Sequence, residues 1–439
     1  MSDVVKVKVI DPGASIVLAK LTEAGYEAYL VGGCVRDAVL GRPIKDIDIA
    51  TSALPEQVMT CFPRTAPTGL QHGTVTVILS QGTYEVTTFR KETEYEGFRR
   101  PTSVEYISDL TEDLKRRDFT MNAMAMDAAG VVLDPFAGQQ DLELGVLRCV
   151  GAAEERFGED ALRMLRCVRF ASTYGLEVES STWQALLAQA PLLRHIAMER
   201  VRSELQRMVE GPAPERAVRL LLASRLTAQL KKQLPLPFER WLAWDDALDA
   251  VSALEGQHDR WAMLLMLLEM PADTVRTALQ ELTFSRADCE AVVAVLALRE
   301  AVAAQLTGGA SQNAASVQDP APLERVWKLG AVRSGEAAAR ALLRLLHVLP
   351  QSLEQRGELA RFLHTAAPEL LRRGEAWLQE VPCFSLKELA ISGTDLAEEL
   401  GRQPGPWMGM LLQQLLERTA LGEIPNERES LLLAARAAK

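Results

Sequence analysis

Hydrophobic positions along this chain fall into two regimes. Up to about residue 140, short β-branched runs alternate with Gly, Pro and helical stretches, at residues 27–31, 46–49, 73–79, 83–89 and 130–134. Apolar residues at a spacing of two, bounded by turn formers, predict strands. The same stretch predicts a short helix over residues 35–40, after a Gly-Gly turn. From about Leu142 the strands are expected to stop. Leu, Ala, Arg and Glu then recur at helical spacing to the C-terminus, as in residues 218–224 and 340–347. The expected fold class is therefore α+β, a mixed sheet with helices at the head and an all-helical remainder.

Punctuation divides the helical part further. Residues 307–320 are small and polar throughout, and Gln233-Leu-Pro-Leu-Pro237 is a second break. No fixed-period repeat supports a regular solenoid. At 439 residues the chain is too long for one core, and two to four domains are expected. No apolar run reaches the length of a membrane span, and no secretory signal precedes the first predicted element. Six cysteines are scattered without a C-x-x-C pair, which suits a reduced, cytoplasmic protein better than a disulfide frame or a zinc site. The formal net charge of −11 argues against a uniformly basic nucleic-acid coat, although local basic stripes remain.

Two constellations in the head carry chemistry. In Asp46-Ile-Asp48, a strand would put both carboxylates on one face. Two close carboxylates repel unless a cation sits between them, and Mg²⁺ is the usual one. A lone D-x-D is more often a solvated strand face. Glu85, on another predicted strand, could supply a third carboxylate suited to two-metal phosphoryl transfer. The second constellation is Val31-Gly32-Gly33-Cys34-Val35-Arg36-Asp37, where paired glycines open a helix beside a basic residue. Backbone N–H groups and Arg36 there suit an anion, though a plain Gly-Gly turn is the blander reading.

Strand, Gly-Gly turn, helix and D-x-D strand, in that order, resemble the polymerase-β-type nucleotidyltransferases. The likeness extends through Arg116-Arg-Asp-Phe-Thr-Met-Asn122, Asp134-Pro-Phe-Ala-Gly138, Glu159-Asp-Ala-Leu-Arg163 and Glu199-Arg-Val-Arg-Ser-Glu-Leu205. These occur in the order of the class II tRNA nucleotidyltransferases, the CCA-adding enzymes. Pro404-Gly-Pro-Trp407 and Gly422-Glu-Ile-Pro-Asn-Glu427 resemble the tail of the bacterial form. The resemblance implies a catalytic head at 1–140, a helical neck at 141–210, a body at 211–320 and a tRNA-binding tail at 321–439. It implies Mg²⁺ on Asp46 and Asp48, with Glu85 near the primer end. Gly32, Gly33, Arg36 and Arg117 would bind the incoming triphosphate or nucleotide, and Asp118 and Asn122 the ribose. Asp160, Arg163, Arg166 and Arg169 would form a stripe on one helix face, the amino-acid template that reads the base, with Glu159 supporting Arg163.

CTP, ATP and the 3′ end of tRNA, with its acceptor stem and upper arm, are the partners so implied, and no membrane. The sequence carries no signal for oligomeric state. Dispersed basic residues (Lys231, Lys232, Arg333, Arg340, Arg344, Arg372, Arg373) could meet RNA phosphates. The rival readings are an A-adding enzyme, a CC-adding enzyme, a bacterial poly(A) polymerase, and a non-catalytic tRNA-binding protein on a dead head. CC-adding relatives lack the flexible loop that here spans residues 91–109. Poly(A) polymerases carry a basic stretch where this chain reads Pro67-Thr-Gly-Leu-Gln-His-Gly-Thr74. A dead head would have lost Asp46, Asp48 or Arg163. His258-Asp259 suggests a surface or capping pair rather than a metal site, because such a site needs further ligands and His347 and His364 are isolated on Leu-rich segments.

Overall fold

The computed structural model describes residues 11–96, 100–308, 321–349 and 357–438. They cluster into two compact units, 1–233 and 234–439, divided at the Gln233-Leu-Pro-Leu-Pro237 break.

In the first unit, helix α1 (Pro12–Glu23) starts where Asp11 caps the backbone N–H groups of Gly13 and Ala14 at 2.9 and 3.0 Å. Strand β1 (Ala28–Val31) follows, then helix α2 (Gly33–Val39) and strand β2 (Asp48–Thr51). Further strands are β3 (Thr65–Gly69), β4 (Thr74–Leu79), β5 (Gly82–Thr88), β6 (Arg90–Glu96), β7 (Arg100–Tyr106), β8 (Ala125–Met126) and β9 (Val132–Leu133). Seven of them form one mixed sheet in the order β3-β4-β5-β2-β1-β8-β9, in which only β2 and β5 run parallel. Strand β2 is thus central, and its register sets Asp48 beside Glu85. Val31, Ala50, Phe89, Leu114, Ala123, Ala125 and Val150 form a buried cluster against the sheet. Burying such apolar side chains is the main term holding the sheet in place, about 1.5–3 kcal/mol for each large one.

The mixed sheet with helices is as the hydrophobic pattern predicts, but three expectations need correction. The strand expected at residues 46–49 begins at Asp48, so Asp46 and Ile47 precede it. The loop expected at residues 91–109 is largely an antiparallel ribbon of β6 and β7, in register from Arg90 opposite Tyr106 to Glu96 opposite Arg100; residues 97–99 lie outside the described ones. Strands also do not stop at Leu142, since β10 (Val146–Leu147) pairs in parallel with β11 (Glu177–Val178). Two-residue strands are too short to show a period.

Helices α3 (Pro55–Cys61), α4 (Leu110–Lys115), α5 (Gly138–Glu143), α6 (Ala153–Glu159), α7 (Leu162–Tyr174), α8 (Ser180–Gln189), α9 (Met198–Glu210) and α10 (Pro214–Ser224) complete this unit. In α7 the buried Met164, Leu165, Cys167, Val168 and Ala171 recur at three- and four-residue spacing. Gly175 ends that helix at φ +68°, a left-handed cap that costs a glycine little.

The second unit is helical throughout its described residues. Trp327 and Trp377 are fully buried, and the indole of Trp327 donates to Gly374 O at 3.0 Å. A separate cluster around Leu396, Leu415, Leu416 and Leu431 forms the core of its C-terminal end. The small, polar residues 307–320 fall outside the described ones, apart from Thr307 and Gly308 at the end of the helix Arg286–Gly308. His258 meets Asp288 at 2.8 Å, and Asp259 accepts a two-pronged bond from Arg344 at 2.6 and 3.0 Å. Asp259 is thus a buried ion-pair partner of Arg344 rather than the surface residue expected, and His258 bonds separately to Asp288. All six cysteines are free thiols, five of them buried. Among the described residues no helix is long and apolar enough to cross a membrane.

Candidate active site

A cleft of about 870 Å³ opens in the first unit where α2, the segment before β2, the turn after α4, α7 and α9 converge. Its walls carry Arg36, Arg42, Lys45, Arg116, Arg117, Arg163, Arg166, Arg200 and Arg207 against Asp37, Asp46, Asp48, Asp118 and Asp160. Nine cations against five anions leave a positive cleft in a chain whose net charge is −11. Such a cavity concentrates a polyanion of nucleotide size.

The first glycine of the turn is required by its backbone conformation. Gly32 sits at φ +76°, and a Cβ there would lie 2.6 Å from Arg117 Nη1. The chain can therefore bring the Arg117 guanidinium against the turn that opens α2. Gly33 begins the helix, and a Cβ on it would meet Arg36 Nη2 at 3.4 Å.

A continuous polar relay lines the cleft. The Tyr174 hydroxyl donates to Asp37 Oδ1 at 2.9 Å, and Arg36 forks onto both Asp37 oxygens at 3.0 Å. Arg36 Nη1 also donates to Asn122 Oδ1 at 2.5 Å, and Asn122 Nδ2 donates to Asp118 Oδ1 at 3.0 Å. Asp118 Oδ2 accepts from Arg166 Nε at 2.7 Å, which returns the relay to α7. Arg36 also stands 4.4 Å from the Tyr174 ring centre. Burial alone would raise the Asp118 carboxyl, but Arg166, Asn122 and Arg163 outweigh it and hold it down at about 2. Burial pushes the Tyr174 phenol up to about 12, with Arg36 opposing and Asp37 adding.

Asp46 and Asp48 both line the cleft, and neither carboxylate takes part in a hydrogen bond or close ion pair among the described residues. The Asp48 carboxyl is raised above its ordinary value by burial, with Arg117 opposing and Asp46 adding. This pair is unsatisfied, as a cation site would be. No group of three or more His, Cys, Asp or Glu residues among the described ones could hold a metal by itself. Mg²⁺ commonly takes one or two carboxylates plus substrate phosphates, so two aspartates in an anion-binding cleft fit it.

The structure also breaks up the expected template stripe. Asp160 is not helical: at φ −136° and ψ 102° it lies in the break between α6 and α7. Its Oδ1 accepts Leu162 N at 3.1 Å, capping the start of α7. Arg163 donates to Glu159 at 2.6 Å, the expected support, and to the Arg156 and Arg116 carbonyls at 3.1 and 2.8 Å. Gly32, Gly33, Arg36, Asp46, Asp48, Arg117, Asp118, Asn122, Asp160, Arg163 and Arg166 all line the cleft. Glu85 and Arg169 do not. Glu85 is exposed beside Asp48, while Arg169 faces away to Glu204, bonded at 2.6 Å. In a 3.6-residue helix, steps of three wind off the starting face, so Arg169, two such steps on from Arg163 in α7, no longer shares its wall.

Arg200, Asp37 and Tyr174 are site residues that the motifs did not single out for a role. Their partners lie 40 and 137 residues away in the chain, beyond any spacing pattern. Of the dispersed basic residues, Arg333, Arg340, Arg344, Arg372 and Arg373 each face a carboxylate within the second unit.

The head sheet and its positive, glycine-opened cleft with a paired-aspartate wall define a nucleotidyltransferase. Residues 28–148 match the family model described as "Poly A polymerase head domain", and residues 362–435 match that of tRNA nucleotidyltransferase domain 2. The chain is 38% identical over 438 residues to the CCA-adding enzyme of Geobacillus stearothermophilus, covering 94% of this chain and 93% of that one. A CCA-adding enzyme of Bacillus cereus is 38% identical over 424 residues, covering 95% and 96%. The crystal structure of the Bacillus stearothermophilus CCA-adding enzyme in complex with CTP superposes with a TM-score of 0.73 at 33% identity, over 97% and 96% of the two chains. The Thermotoga maritima CCA-adding enzyme complexed with tRNA shares the fold, with a TM-score of 0.61 at 19% identity over the whole of both chains. This chain belongs to the CCA-adding enzyme family.

Proposed function

We propose that this chain adds C, C and A in turn to the 3′ end of tRNA from CTP and ATP, without a nucleic-acid template. The observation that carries this reading is near full-length likeness to CCA-adding enzymes, joined to a positive cleft that keeps both aspartates of the D-x-D motif. In each cycle the primer 3′ oxygen bonds to the α-phosphorus, the bond to pyrophosphate breaks, and the hydroxyl proton is lost. Asp46 and Asp48 would hold Mg²⁺, which when bound would supply charge neutralisation at the phosphates and ease loss of the primer hydroxyl proton. Arg36 and Arg117 bind the triphosphate beside the Gly32-Gly33 turn, and Arg166 orients Asp118, which with Asn122 faces the ribose.

Cytosine and adenine share an amino group beside an unprotonated ring nitrogen, and guanine and uracil present the reverse. Asp160 accepts from the amino group and Arg163 donates to the ring nitrogen, so U or G would leave buried polar groups unpaired. Residues 1–140 act as the catalytic head, 141–210 as the selecting neck, and 211–320 and 321–439 as the body and tail that hold tRNA, in the cytoplasm. The test supplies tRNA ending at its discriminator base with labelled CTP, ATP or both. Addition of CC with CTP alone, and of CCA with both, is the expected result. Incorporation of A only, on tRNA already ending in CC, would instead identify an A-adding enzyme.

A further inference from the structure

The geometry points to Arg200 as a positioning residue for base selection, holding the Asp160 carboxylate in one plane so that a single lone pair meets the base. The inference rests on the reading of Asp160 as a base-selecting residue. Arg200, on the first turn of α9, lines the cleft and forks onto Asp160, with Nη1 on Oδ1 at 3.2 Å and Nη2 on Oδ2 at 2.8 Å. A carboxylate outside a helix turns broadly about its last torsion unless something fixes its plane. A planar guanidinium fork does this, and a point charge does not.

An accounting of lone pairs gives the contact its meaning. Asp160 Oδ1 accepts both Leu162 N at 3.1 Å and Arg200 Nη1 at 3.2 Å, which saturates it. Oδ2 accepts Arg200 Nη2 alone among the described contacts, so one acceptor position remains on Oδ2. An amino hydrogen of cytosine or adenine fits that position, whereas the carbonyl of uracil or guanine meets an acceptor. Without the fork the carboxylate can turn, present either oxygen, or leave room for a water that bridges to a carbonyl.

Arg200 is not needed to dock α9. One turn further along, Glu204 binds Arg169 of α7 at 2.6 Å, and Val201, Leu205 and Met208 are buried. Loss of Arg200 therefore frees the carboxylate while the helices stay packed.

The test is single-nucleotide incorporation by the full chain, with CTP against UTP on tRNA lacking CCA and ATP against GTP on tRNA ending in CC. Arg200→Ala is expected to lower each kcat/KM ratio by roughly tenfold or more, and Arg200→Lys to restore only part of it. Each ratio is taken on one preparation, so the amount of folded enzyme cancels. Equal losses with all four nucleotides, or full rescue by Arg200→Lys, overturn the assignment and leave Arg200 a merely structural ion pair. Asp160→Ala measured alongside separates the two claims. If it also leaves discrimination unchanged, the base is read elsewhere and the underlying reading fails; if only Arg200→Ala leaves it unchanged, the positioning role alone fails. Should Arg200→Ala not fold, Arg200→Lys and Arg200→Gln give the same ratios.

Discussion

On the proposed reading, Asp46 and Asp48 are residues costly to the fold and needed for the reaction. Burial and the neighbouring Asp46 raise the Asp48 carboxyl. A carboxyl raised in the folded state costs stability once pH is high enough to ionise it, so removing that charge relieves the fold at neutral pH. Asp46→Ala or Asp48→Ala should therefore abolish nucleotide addition with an unchanged or raised melting temperature. Near wild-type turnover in either variant would remove the metal assignment. Asp118 works in the opposite sense. Its carboxyl is held at about 2 against an ordinary 3.8 by Arg166, Asn122 and Arg163, despite burial. A depressed carboxyl contributes stability that is fully present above the unfolded value and fades as pH falls from near 4 toward 2. Asp118→Asn should cost about 2 kcal/mol at pH 7, with the difference from the parent closing over that window in acid-unfolding curves. A difference that stays constant to pH 2 would mean that charge at Asp118 does not carry the effect.

Among elements, the β6–β7 ribbon lends itself to a clean excision. It is anchored at its base, where Arg90 N donates to Asp113 Oδ1 at 3.1 Å and Ile107 N to Phe89 O at 3.0 Å. Thr93 and Ser103 are register partners, so a short turn can join them and remove what lies between. On the reading that this ribbon is a lid that refits the pocket to the larger base, the shortened protein should keep adding C but fail to add the final A. Normal addition of A to tRNA ending in CC would show that the ribbon has no such part. Helices α7 and α9 illustrate a second property of elements: each contributes both signs of charge, and only their packing decides which pairs form. Arg169 with Glu204 joins the two helices, while Arg200 of α9 reaches Asp160 in the break before α7.

Across the whole molecule, charge is distributed rather than uniform. A net −11 keeps RNA off most of the surface, and the cleft gathers nine cations against five anions. Several basic residues of the second unit are already neutralised by carboxylates, so tRNA binding should depend on few phosphate contacts and on shape. Apparent tRNA affinity is expected to fall by at least about tenfold between 50 and 200 mM salt, as counterion release requires, while Arg344→Ala acts mainly on stability. Arg344 pairs with the nearly buried Asp259, and an unpaired buried carboxylate costs about 1–3 kcal/mol. Salt titrations of tRNA binding and melting curves check both. Affinity insensitive to salt would mean that phosphate contacts contribute little.

The chain by itself determined the elements whose signals are local. All five strands it indicated lie within two residues of their places in the sheet, and the break at Gln233-Leu-Pro-Leu-Pro237 divides the compact units. Period-two alternation and Gly-Pro punctuation need no distant partner to be legible. Of the thirteen candidate residues named from the sequence, eleven line the cleft, because most sit in motifs that couple a backbone turn to the side chain it serves. Tertiary structure decided the remainder. It placed Asp160 outside the helix, turned Arg169 away to Glu204, left Glu85 off the cleft wall, and brought Arg200 onto Asp160 from 40 residues away. Those outcomes depend on which oppositely charged groups meet when α7 packs against α9 and the head sheet. Pairing of that kind is a property of three-dimensional proximity, and no periodicity along the chain encodes it.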